Sequence, residues 1–109
     1  MLITRFYYVY FLTNISNSVL YIGVTNSLHT RIWKHKVKLY SDSFTSKYNC
    51  DKLVYFEEFE SIQSAIAREK QLKNWKREWK NELVISKNPG WEDLAKDWFT
   101  EEELDIDKA

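Results

Sequence analysis

Arg31 and His35, four positions apart, are the first residues whose types and spacing could do chemistry. Near-helical spacing of the apolar residues around them places both side chains on the same side of a helix. An arginine at the edge of a buried helix face can offer its planar guanidinium to a phosphate through two hydrogen bonds. The surrounding lysines also fit an ordinary solvated helix face, and a lone histidine is more often structural than catalytic. The pair is therefore a candidate phosphate site with a plain structural alternative.

A single glutamate interrupts the apolar side of a second predicted helix. Glu69 lies three residues after Ile66 and three before Leu72, so its carboxylate falls within an apolar stripe. A carboxylate there is partly removed from water. It could hold Mg²⁺, which needs only one or two carboxylates together with phosphate oxygens. An ordinary ion pair between Glu69 and Lys73, one helical turn apart, would explain the same residue without a metal.

Tyrosines line one face of a predicted hairpin. Tyr8 and Tyr10 share a strand face, as do Tyr21 and Gly23 on the next strand. A turn centred on residues 15–16 would place Tyr10 directly opposite Tyr21. Such aromatic pairs commonly fill cores. Glycine weakens a strand interior, so Gly23 indicates close approach of another backbone or of a ligand.

The elements that must position these side chains follow from local patterns. Aromatic and β-branched runs predict strands, and a polar segment between the first two predicts their turn. Thr25-Asn26-Ser27 supplies N-cap chemistry for the first helix. A stretch rich in Ala, Glu, Lys and Gln without Gly or Pro predicts a long second helix. The predicted strands cover residues 5–13, 19–24 and 52–59, and the predicted helices cover residues 28–38, 61–79 and 80–86.

Aromatic residues occur in the polar loop over residues 40–51 and near the C-terminus. Phe44 and Tyr48, with Lys47 between them, could stack a base and meet a phosphate, although capping of the core is the commoner outcome. Four tryptophans predict a C-terminal packing layer or, alternatively, a partner surface: Trp75, Trp79, Trp91 and Trp98.

Composition limits the class of protein. The chain has 109 residues, 44% of them hydrophobic and 17% aromatic, which suits one domain with a real core. A single cysteine, Cys50, favours a reducing, cytoplasmic setting. No apolar run approaches the roughly 18 residues of a membrane span, and the first residues are too polar for a secretory signal. We expect a cytoplasmic protein without membrane contact.

The formal net charge of zero conceals an uneven distribution. Residues 1–90 carry a net charge of +6, and residues 91–109 carry −6. A basic body suggests a polyanionic partner, although solvated charge with a solubilising tail would give the same count. We expect one domain over residues 1–94 and an acidic tail over residues 95–109 that frays after a final turn.

Taken in order, these residues resemble the GIY-YIG nuclease superfamily, and within it the small single-domain bacterial, excinuclease-subunit-C-like (YhbQ-type) group. The resemblance runs from about residue 7 to about residue 94. Tyr8-Val9-Tyr10 stands where the family has GIY, and Tyr21-Ile22-Gly23 is its YIG. The family's arginine, histidine, metal-binding glutamate and late asparagine are matched by Arg31, His35, Glu69 and Asn88.

The resemblance implies an α/β (α+β) fold in which helices flank a three-stranded antiparallel sheet, in the order β-β-α-β-α-α. It also implies hydrolysis of phosphodiester bonds in DNA, with RNA as the second choice. Mg²⁺ would be the cofactor, and Mn²⁺ could replace it. The implied partner is nucleic acid, with no membrane and no organic cofactor.

The resemblance also assigns roles. Glu69 would hold the metal, and Arg31 would donate to the scissile phosphate. Tyr21 would position or deprotonate the attacking water, with Tyr10 and His35 in the same hydrogen-bond network. The remaining assignments are Lys34, Lys38, Lys47 and Lys73 for contacts to nucleic acid, and Gly23 and Asn88 for the shape of the site.

Two departures from the family pattern keep a second hypothesis open. Tyr8 replaces the first glycine of GIY, and Val24 replaces the lysine that the repair nucleases have after YIG. The missing cation and the acidic tail favour a nucleic-acid-binding or adaptor module with little or no turnover. The intact catalytic set favours the enzyme, because pure binding needs scattered phosphate contacts and no metal-binding carboxylate. A protein-interaction domain would show no salt-dependent binding to nucleic acid.

Overall fold

The computed structural model describes residues 5–105 and contains one sheet with helices on both faces. The strands are β1 (Tyr7–Thr13), β2 (Leu20–Thr25) and β3 (Lys52–Phe59), and the helices are α1 (Leu28–Lys36), α2 (Phe44–Lys47), α3 (Ile62–Asn74), α4 (Arg77–Lys87) and α5 (Glu101–Leu104). The three antiparallel strands pair in the order β2-β1-β3, which confirms the predicted fold. Two short helices, α2 and α5, extend the predicted element order.

Each face of the sheet carries its own core. Central strand β1 is covered on both sides, so Val9 and Phe11 are buried on one face and Tyr10 and Leu12 on the other. The first core lies under α3 and α4 and contains Val9, Phe11, Ile22, Val54, Tyr55, Ala65, Leu72 and Val84. The second core lies under α1 and contains Tyr10, Leu12, Leu28, Ile32, Cys50, Leu53 and Ala95.

The hairpin register differs from the predicted one. Tyr10 pairs with Gly23, and Tyr21 pairs with Leu12, so the expected Tyr10–Tyr21 opposition is wrong. The turn is longer than predicted because the Asn14 side chain accepts a hydrogen bond from the backbone of Val19 at 3.0 Å. The register shifts by two residues, which preserves the faces of the strands. Tyr10 and Tyr21 therefore remain on one face as diagonal neighbours.

The helix predicted over residues 61–79 is two helices in the structure. Trp75 and Lys76 are extended, with ψ angles of 152° and 149°, and separate α3 from α4. The composition favours a continuous helix, but the break lets α4 pack on β3 and bury Val84 in the first core. Tertiary packing overrides local propensity here, and the helix predicted over residues 80–86 is the later part of α4.

The first helix ends two residues earlier than predicted. Lys38 has a φ of 53°, the left-handed conformation that commonly follows a helix. Leu39 consequently lies outside α1 and is exposed. At the end of α1, Lys36 Nζ donates to Asp93 Oδ2 at 2.5 Å and fixes the helix to the C-terminal segment.

The C-terminal acidic segment packs on the domain. Asp93 Oδ1 accepts hydrogen bonds from the backbone of Leu53 and Ala95, at 3.1 and 3.0 Å. Ala95 is fully buried, and Trp98 packs against the second core. The predicted tail thus packs on the domain at Ala95 and Trp98, and Trp33 of α1 donates to the backbone oxygen of Glu103 in α5, while the domain boundary at residue 94 stays a prediction. Residues 1–4 of the predicted domain and residues 106–109 of the predicted tail lie outside the described residues.

The tryptophans do not form a single layer. Trp75 and Trp91 pack against the first core and Trp98 against the second, while Trp79 is exposed. No helix within residues 5–105 is long and apolar enough to cross a membrane.

Candidate active site

His35 is held on α1 against the hydroxyl of Tyr10. Tyr10 lies on central strand β1, and its side chain is 1% exposed. The Tyr10 hydroxyl lies 3.1 Å from His35 Nε2, and Thr45 Oγ1 lies 2.9 Å from His35 Nδ1. Both ring nitrogens are therefore hydrogen-bonded, which fixes the orientation of the imidazole.

Tyr21 and Arg31 complete a group of four side chains. The Tyr21 ring centroid lies 6.3 Å from that of Tyr10 and 5.9 Å from that of His35. Burial raises the pKa of Tyr10 well above its ordinary value, and the neighbouring Tyr21 raises it further, whereas the Arg31 guanidinium acts in the opposite direction. Tyr10 therefore stays a protonated phenol at neutral pH. The structure thus brings together four of the five residues predicted to be catalytic.

Three of these side chains open onto a cavity. Tyr21, Arg31 and His35 line a space of about 210 Å³ together with Lys34 and Phe44. The cavity presents a phenol, an imidazole, a guanidinium and an ammonium group at one opening. Cationic and hydroxyl donors of this kind recognise phosphate oxygens.

The aromatic residues of the loop after α1 lie at this cavity. Phe44 stacks on Tyr21 with ring centroids 6.1 Å apart, and it lies 4.7 Å from the ring of Tyr48. Phe44 is 48% exposed and Tyr48 is 51% exposed, so both rings are about half-buried at the edge of the cavity. Thr45 and Cys50 are the residues of this loop that are buried instead.

A second cavity lies on the same face of the sheet. It has a volume of about 630 Å³ and is lined by Tyr8, His29, Phe56, Glu58 and Trp98, among others. None of the residues predicted to be catalytic lines it. We place the candidate site at the smaller cavity because hydrogen-bonded titratable groups converge there.

Gly23 leaves room for the Tyr10 ring. A Cβ atom added at Gly23 would lie 2.5 Å from both Cζ and the hydroxyl oxygen of Tyr10. The close approach expected at Gly23 is made by a side chain of the neighbouring strand. Gly23 is needed for the position of Tyr10.

Glu69 lies on a different helix from Arg31 and His35. Its helix, α3, packs on the face of the sheet opposite α1. The Glu69 side chain is 15% exposed, and its Oε1 lies 3.2 Å from Lys73 Nζ, which is the ion pair anticipated as the alternative. Among residues 5–105, no hydrogen bond or ion pair joins Glu69 to Tyr10, Tyr21, Arg31 or His35. Helix α3 also packs against edge strand β2, which carries Tyr21.

The four lysines predicted to contact nucleic acid have different surroundings. Lys34 lines the cavity, and Lys47 is exposed at the end of α2. Lys38 Nζ donates to the side chain of Asn49 at 2.6 Å. Lys73 forms the ion pair described above. Of these four, Lys34 is the one that borders the cavity.

Asn88 has a structural position. It is buried at the end of α4, and its Nδ2 donates to the backbone oxygens of Val54 and Glu92 at 3.0 and 2.9 Å. Its Oδ1 accepts from the backbone of Glu92 at 3.1 Å. These contacts join α4 to β3, so Asn88 acts on the site through the fold.

The sequence analysis did not identify two residues that hold the site in place, Asp93 and Thr45. Asp93 belongs to the acidic stretch over residues 91–109, and Thr45 to the polar loop over residues 40–51. The sequence did contain a signal for α2, because serine is a favoured N-cap residue. In the structure Ser43 caps α2 by accepting a hydrogen bond from the backbone of Ser46. No cue in the sequence pairs Asp93 with Lys36, since they are distant along the chain.

The His35 environment keeps the imidazole neutral. Burial and then the Arg31 guanidinium lower the pKa of His35 to about 4 from 6.5. In the unfolded chain the pKa returns to about 6.5, so the unfolded state binds more protons between these two values. This part of the stability is fully present above about pH 6.5 and is lost as the pH falls toward 4.

We therefore expect His35→Gln to reduce the pH dependence of folding. The difference in unfolding free energy between pH 7 and pH 4.5, measured by urea titration, should be smaller in this variant by about 1–2 kcal/mol after allowance for solvent screening. His29→Gln, which removes the exposed histidine of α1, is measured in the same way as a control for the change of residue type. An equal pH dependence in wild type and His35→Gln would contradict the assigned environment.

Comparison with known proteins fixes the family of this chain. A family model described as the GIY-YIG catalytic domain matches residues 6–82. The chain belongs to the GIY-YIG family. A UPF0213 protein from Syntrophus aciditrophicus (strain SB) is 34% identical over 82 residues, which cover 75% of this chain and 92% of that protein. The solution NMR structure of a UPF0213 protein from Bacillus halodurans aligns with a TM-score of 0.53 and 29% identity, over 87% of this chain and 99% of that one.

These relatives confirm the small single-domain GIY-YIG group. The matched range contains the five residues predicted to be catalytic and excludes Asn88. GIY-YIG membership places the chain in a nuclease family and implies a nucleic-acid partner. The relatives' names carry no substrate, metal or reaction.

Proposed function

We propose that this GIY-YIG protein is a metal-dependent endonuclease that hydrolyses phosphodiester bonds, with DNA favoured over RNA. The observation that carries the proposal is the convergence of Tyr10, Tyr21, Arg31 and His35 beside one cavity. These groups lie on β1, β2 and α1, so the fold must bring three elements together to form the cluster. A surface that only binds nucleic acid needs no buried phenol–imidazole pair.

Glu69 is our proposed metal ligand. Its carboxylate is largely removed from water and has one lysine partner, so it offers the single hard oxygen donor group that Mg²⁺ accepts in phosphate sites. The described residues contain no cluster of three or more His, Cys, Asp or Glu side chains that could hold a metal. Glu69 would therefore share the ion with substrate oxygens and water. We propose that α3 brings Glu69 to the substrate past the edge of β2.

The metal, as Mg²⁺ or Mn²⁺, would polarise a phosphate oxygen and stabilise the leaving oxygen. The exposed guanidinium of Arg31 would donate to the scissile phosphate and offset its developing charge. Tyr21 would orient the attacking water and accept its proton. Tyr10 would act only as a hydrogen-bond partner, because its pKa is raised. His35, whose pKa is lowered, would stay neutral and orient Tyr10 through the contact at Nε2.

Binding of nucleic acid is proposed to extend around the cavity. Lys34 would contact phosphates beside Arg31, and Lys47 would do so at the end of α2. Lys38 and Lys73 would add more distant contacts once their present partners are displaced. The exposed rings of Phe44 and Tyr48 would stack a base next to the cavity. A cytoplasmic location remains our proposal from the single cysteine.

The second candidate is a binding or adaptor module with little turnover. It is favoured by Val24 in place of the repair-enzyme lysine and by the position of Glu69 on α3, which packs on the opposite face of the sheet from α1. Both candidates share the cationic cavity, so binding alone does not separate them. Cleavage does.

Arg31→Ala should damage both binding and cleavage. We expect affinity for a labelled nucleic acid to fall by about 3–10-fold and cleavage in Mg²⁺ to fall by at least about a hundredfold, because the guanidinium contacts the phosphate in both states and more strongly in the transition state. Arg77→Ala, which removes an arginine on α4 away from the cavity, is the matched control. Equal cleavage by Arg31→Ala and wild type would exclude this site; salt-dependent binding without any product would favour the binding module.

A further inference from the structure

His35 is neutral, so its two ring nitrogens have different roles. One nitrogen must carry a hydrogen and donate, and the other must accept. Nε2 faces the hydroxyl of Tyr10 at 3.1 Å, and Nδ1 faces Thr45 Oγ1 at 2.9 Å. Tyrosine and threonine hydroxyls can each donate or accept. Groups beyond Thr45 therefore decide which tautomer is present.

The hydroxyl groups around Thr45 determine which tautomer of His35 is present. Ser43 caps α2, and its hydroxyl donates to Ser46 Oγ at 3.1 Å while it accepts from the Ser46 backbone. Ser43 Oγ also lies 3.2 Å from Thr45 Oγ1. Since the one hydrogen of Ser43 is used toward Ser46, this second contact requires the hydroxyl of Thr45 to be the donor.

The direction of the remaining bonds follows from this arrangement. Because Thr45 donates its one hydroxyl hydrogen to Ser43, its oxygen accepts from the N–H at His35 Nδ1. Nε2 then carries the lone pair and accepts from the hydroxyl of Tyr10. Thr45 is 5% exposed, so water has little access to replace its hydroxyl. The chain of bonds runs from the α2 cap to the central strand of the sheet.

We propose that Thr45 is a positioning residue that holds His35 in its Nδ1–H tautomer, so that Nε2 accepts the hydrogen bond of Tyr10. The tautomer itself stands on the hydrogen-bond geometry, and its importance for cleavage rests on the proposed nuclease function. In that function the Tyr10 oxygen is left with its lone pairs facing Tyr21 and Arg31. His35 is then a neutral acceptor that fixes the orientation of the Tyr10 hydroxyl. With the opposite tautomer, His35 would donate from Nε2 to Tyr10, and the hydrogen of Tyr10 would turn toward its other neighbours.

The test compares Thr45→Val with Thr45→Ser. Valine keeps the branched shape of threonine without the hydroxyl, and serine keeps the hydroxyl. Nitrogen-15 NMR of the imidazoles at pH 7 reports the tautomer directly, and the chain has only two histidines, so assignment is simple. We expect the Nδ1–H form of His35 in wild type and Thr45→Ser, and loss of its dominance in Thr45→Val. Cleavage in Mg²⁺ should fall at least about tenfold in Thr45→Val and stay within about threefold in Thr45→Ser.

Ser43→Ala provides a second route if Thr45→Val does not fold. Removal of the Ser43 acceptor lets Thr45 turn its hydrogen toward Nδ1, so the Nε2–H form should increase. An Nε2–H tautomer in wild type, or an unchanged tautomer in both Thr45→Val and Ser43→Ala, would overturn the proposal. If the tautomer changes as expected but wild type cleaves no nucleic acid, the proposed function fails while the positioning of His35 by Thr45 stands.

Discussion

Glu69→Ala should reduce metal-dependent cleavage by at least about a hundredfold while affinity for nucleic acid stays within about twofold of wild type. The reason is that the carboxylate contributes through the metal, whereas the cationic groups that bind phosphate remain in place. Removal of Glu69 also frees Lys73 from its ion pair, so affinity should stay equal or increase slightly. Affinity is measured in EDTA, where no cleavage occurs, and cleavage is measured on the same labelled substrate after addition of Mg²⁺.

The matched control for Glu69 is Glu78→Ala. Glu78 is an exposed glutamate in the first turn of α4, so its removal changes the net charge by the same amount. We expect this variant to cleave and bind within about twofold of wild type, in line with a surface substitution. If Glu69→Ala cleaved as well as Glu78→Ala, the single-carboxylate metal site would be wrong. If both affinity and cleavage fell in Glu69→Ala, its role would be structural.

Gly23→Ala should have the largest effect on stability. The added methyl group would lie 2.5 Å from the ring of Tyr10, which is buried and hydrogen-bonded to His35. Neither strand can relieve this overlap without displacing the Tyr10 ring. We expect the free energy of unfolding, measured by urea titration, to fall by about 2–3 kcal/mol. Cleavage under conditions where the variant is folded should fall by at least about tenfold, because Tyr10 and His35 are no longer within hydrogen-bond distance.

Gly90→Ala is the control for this substitution. The nearest atom to an added Cβ there is Glu92 Cγ at 3.5 Å, which is ordinary van der Waals contact. Its effect on the free energy of unfolding should stay within about 0.5 kcal/mol. A double-mutant cycle with Tyr10→Leu isolates the cause, since Gly23→Ala should cost much less in that background. Equal costs in both backgrounds would contradict the assigned overlap.

The sheet and the hairpin tyrosines could be predicted because strands follow a simple period. Aromatic and β-branched runs identified all three strands, and the two-residue period put Tyr10 and Tyr21 on one face. The pairing partner of each residue depends on the turn, and the Asn14 hydrogen bond to Val19 lengthens it. Face could therefore be read from the sequence, and register could not.

The helices illustrate a different limit. Residues 61–79 have a strong local preference for helix, yet Trp75 and Lys76 are extended because α4 gains more by packing on β3. That gain depends on a distant strand, so no local pattern signals it. The same holds for Asp93, whose acidic neighbours suggested a solvated tail, although its carboxylate bonds Lys36 and the backbone of β3.

Most residues of the candidate site could be predicted, but the residues that hold them in place could not. Arg31 and His35 could be paired from their helical spacing, and the structure adds that His35 also meets Tyr10. Thr45 is a small polar residue in a loop, and its role depends on the contact that it makes with His35 in three dimensions. The periodicity of α3 correctly predicted that the Glu69 side chain is partly removed from water, but it did not predict where Glu69 lies relative to Tyr21.

The central claim is that this GIY-YIG protein hydrolyses phosphodiester bonds, and cleavage of a mixed substrate panel tests it most directly. The panel contains supercoiled plasmid, single-stranded DNA, branched duplexes and RNA, each with Mg²⁺, with Mn²⁺ and with EDTA. Wild type and Glu69→Ala are purified identically, so that a contaminating nuclease would appear in both. We predict new ends that require metal and wild-type protein, with DNA cut in preference to RNA. No cleavage of any substrate in either metal, or equal cleavage by Glu69→Ala, would contradict the account.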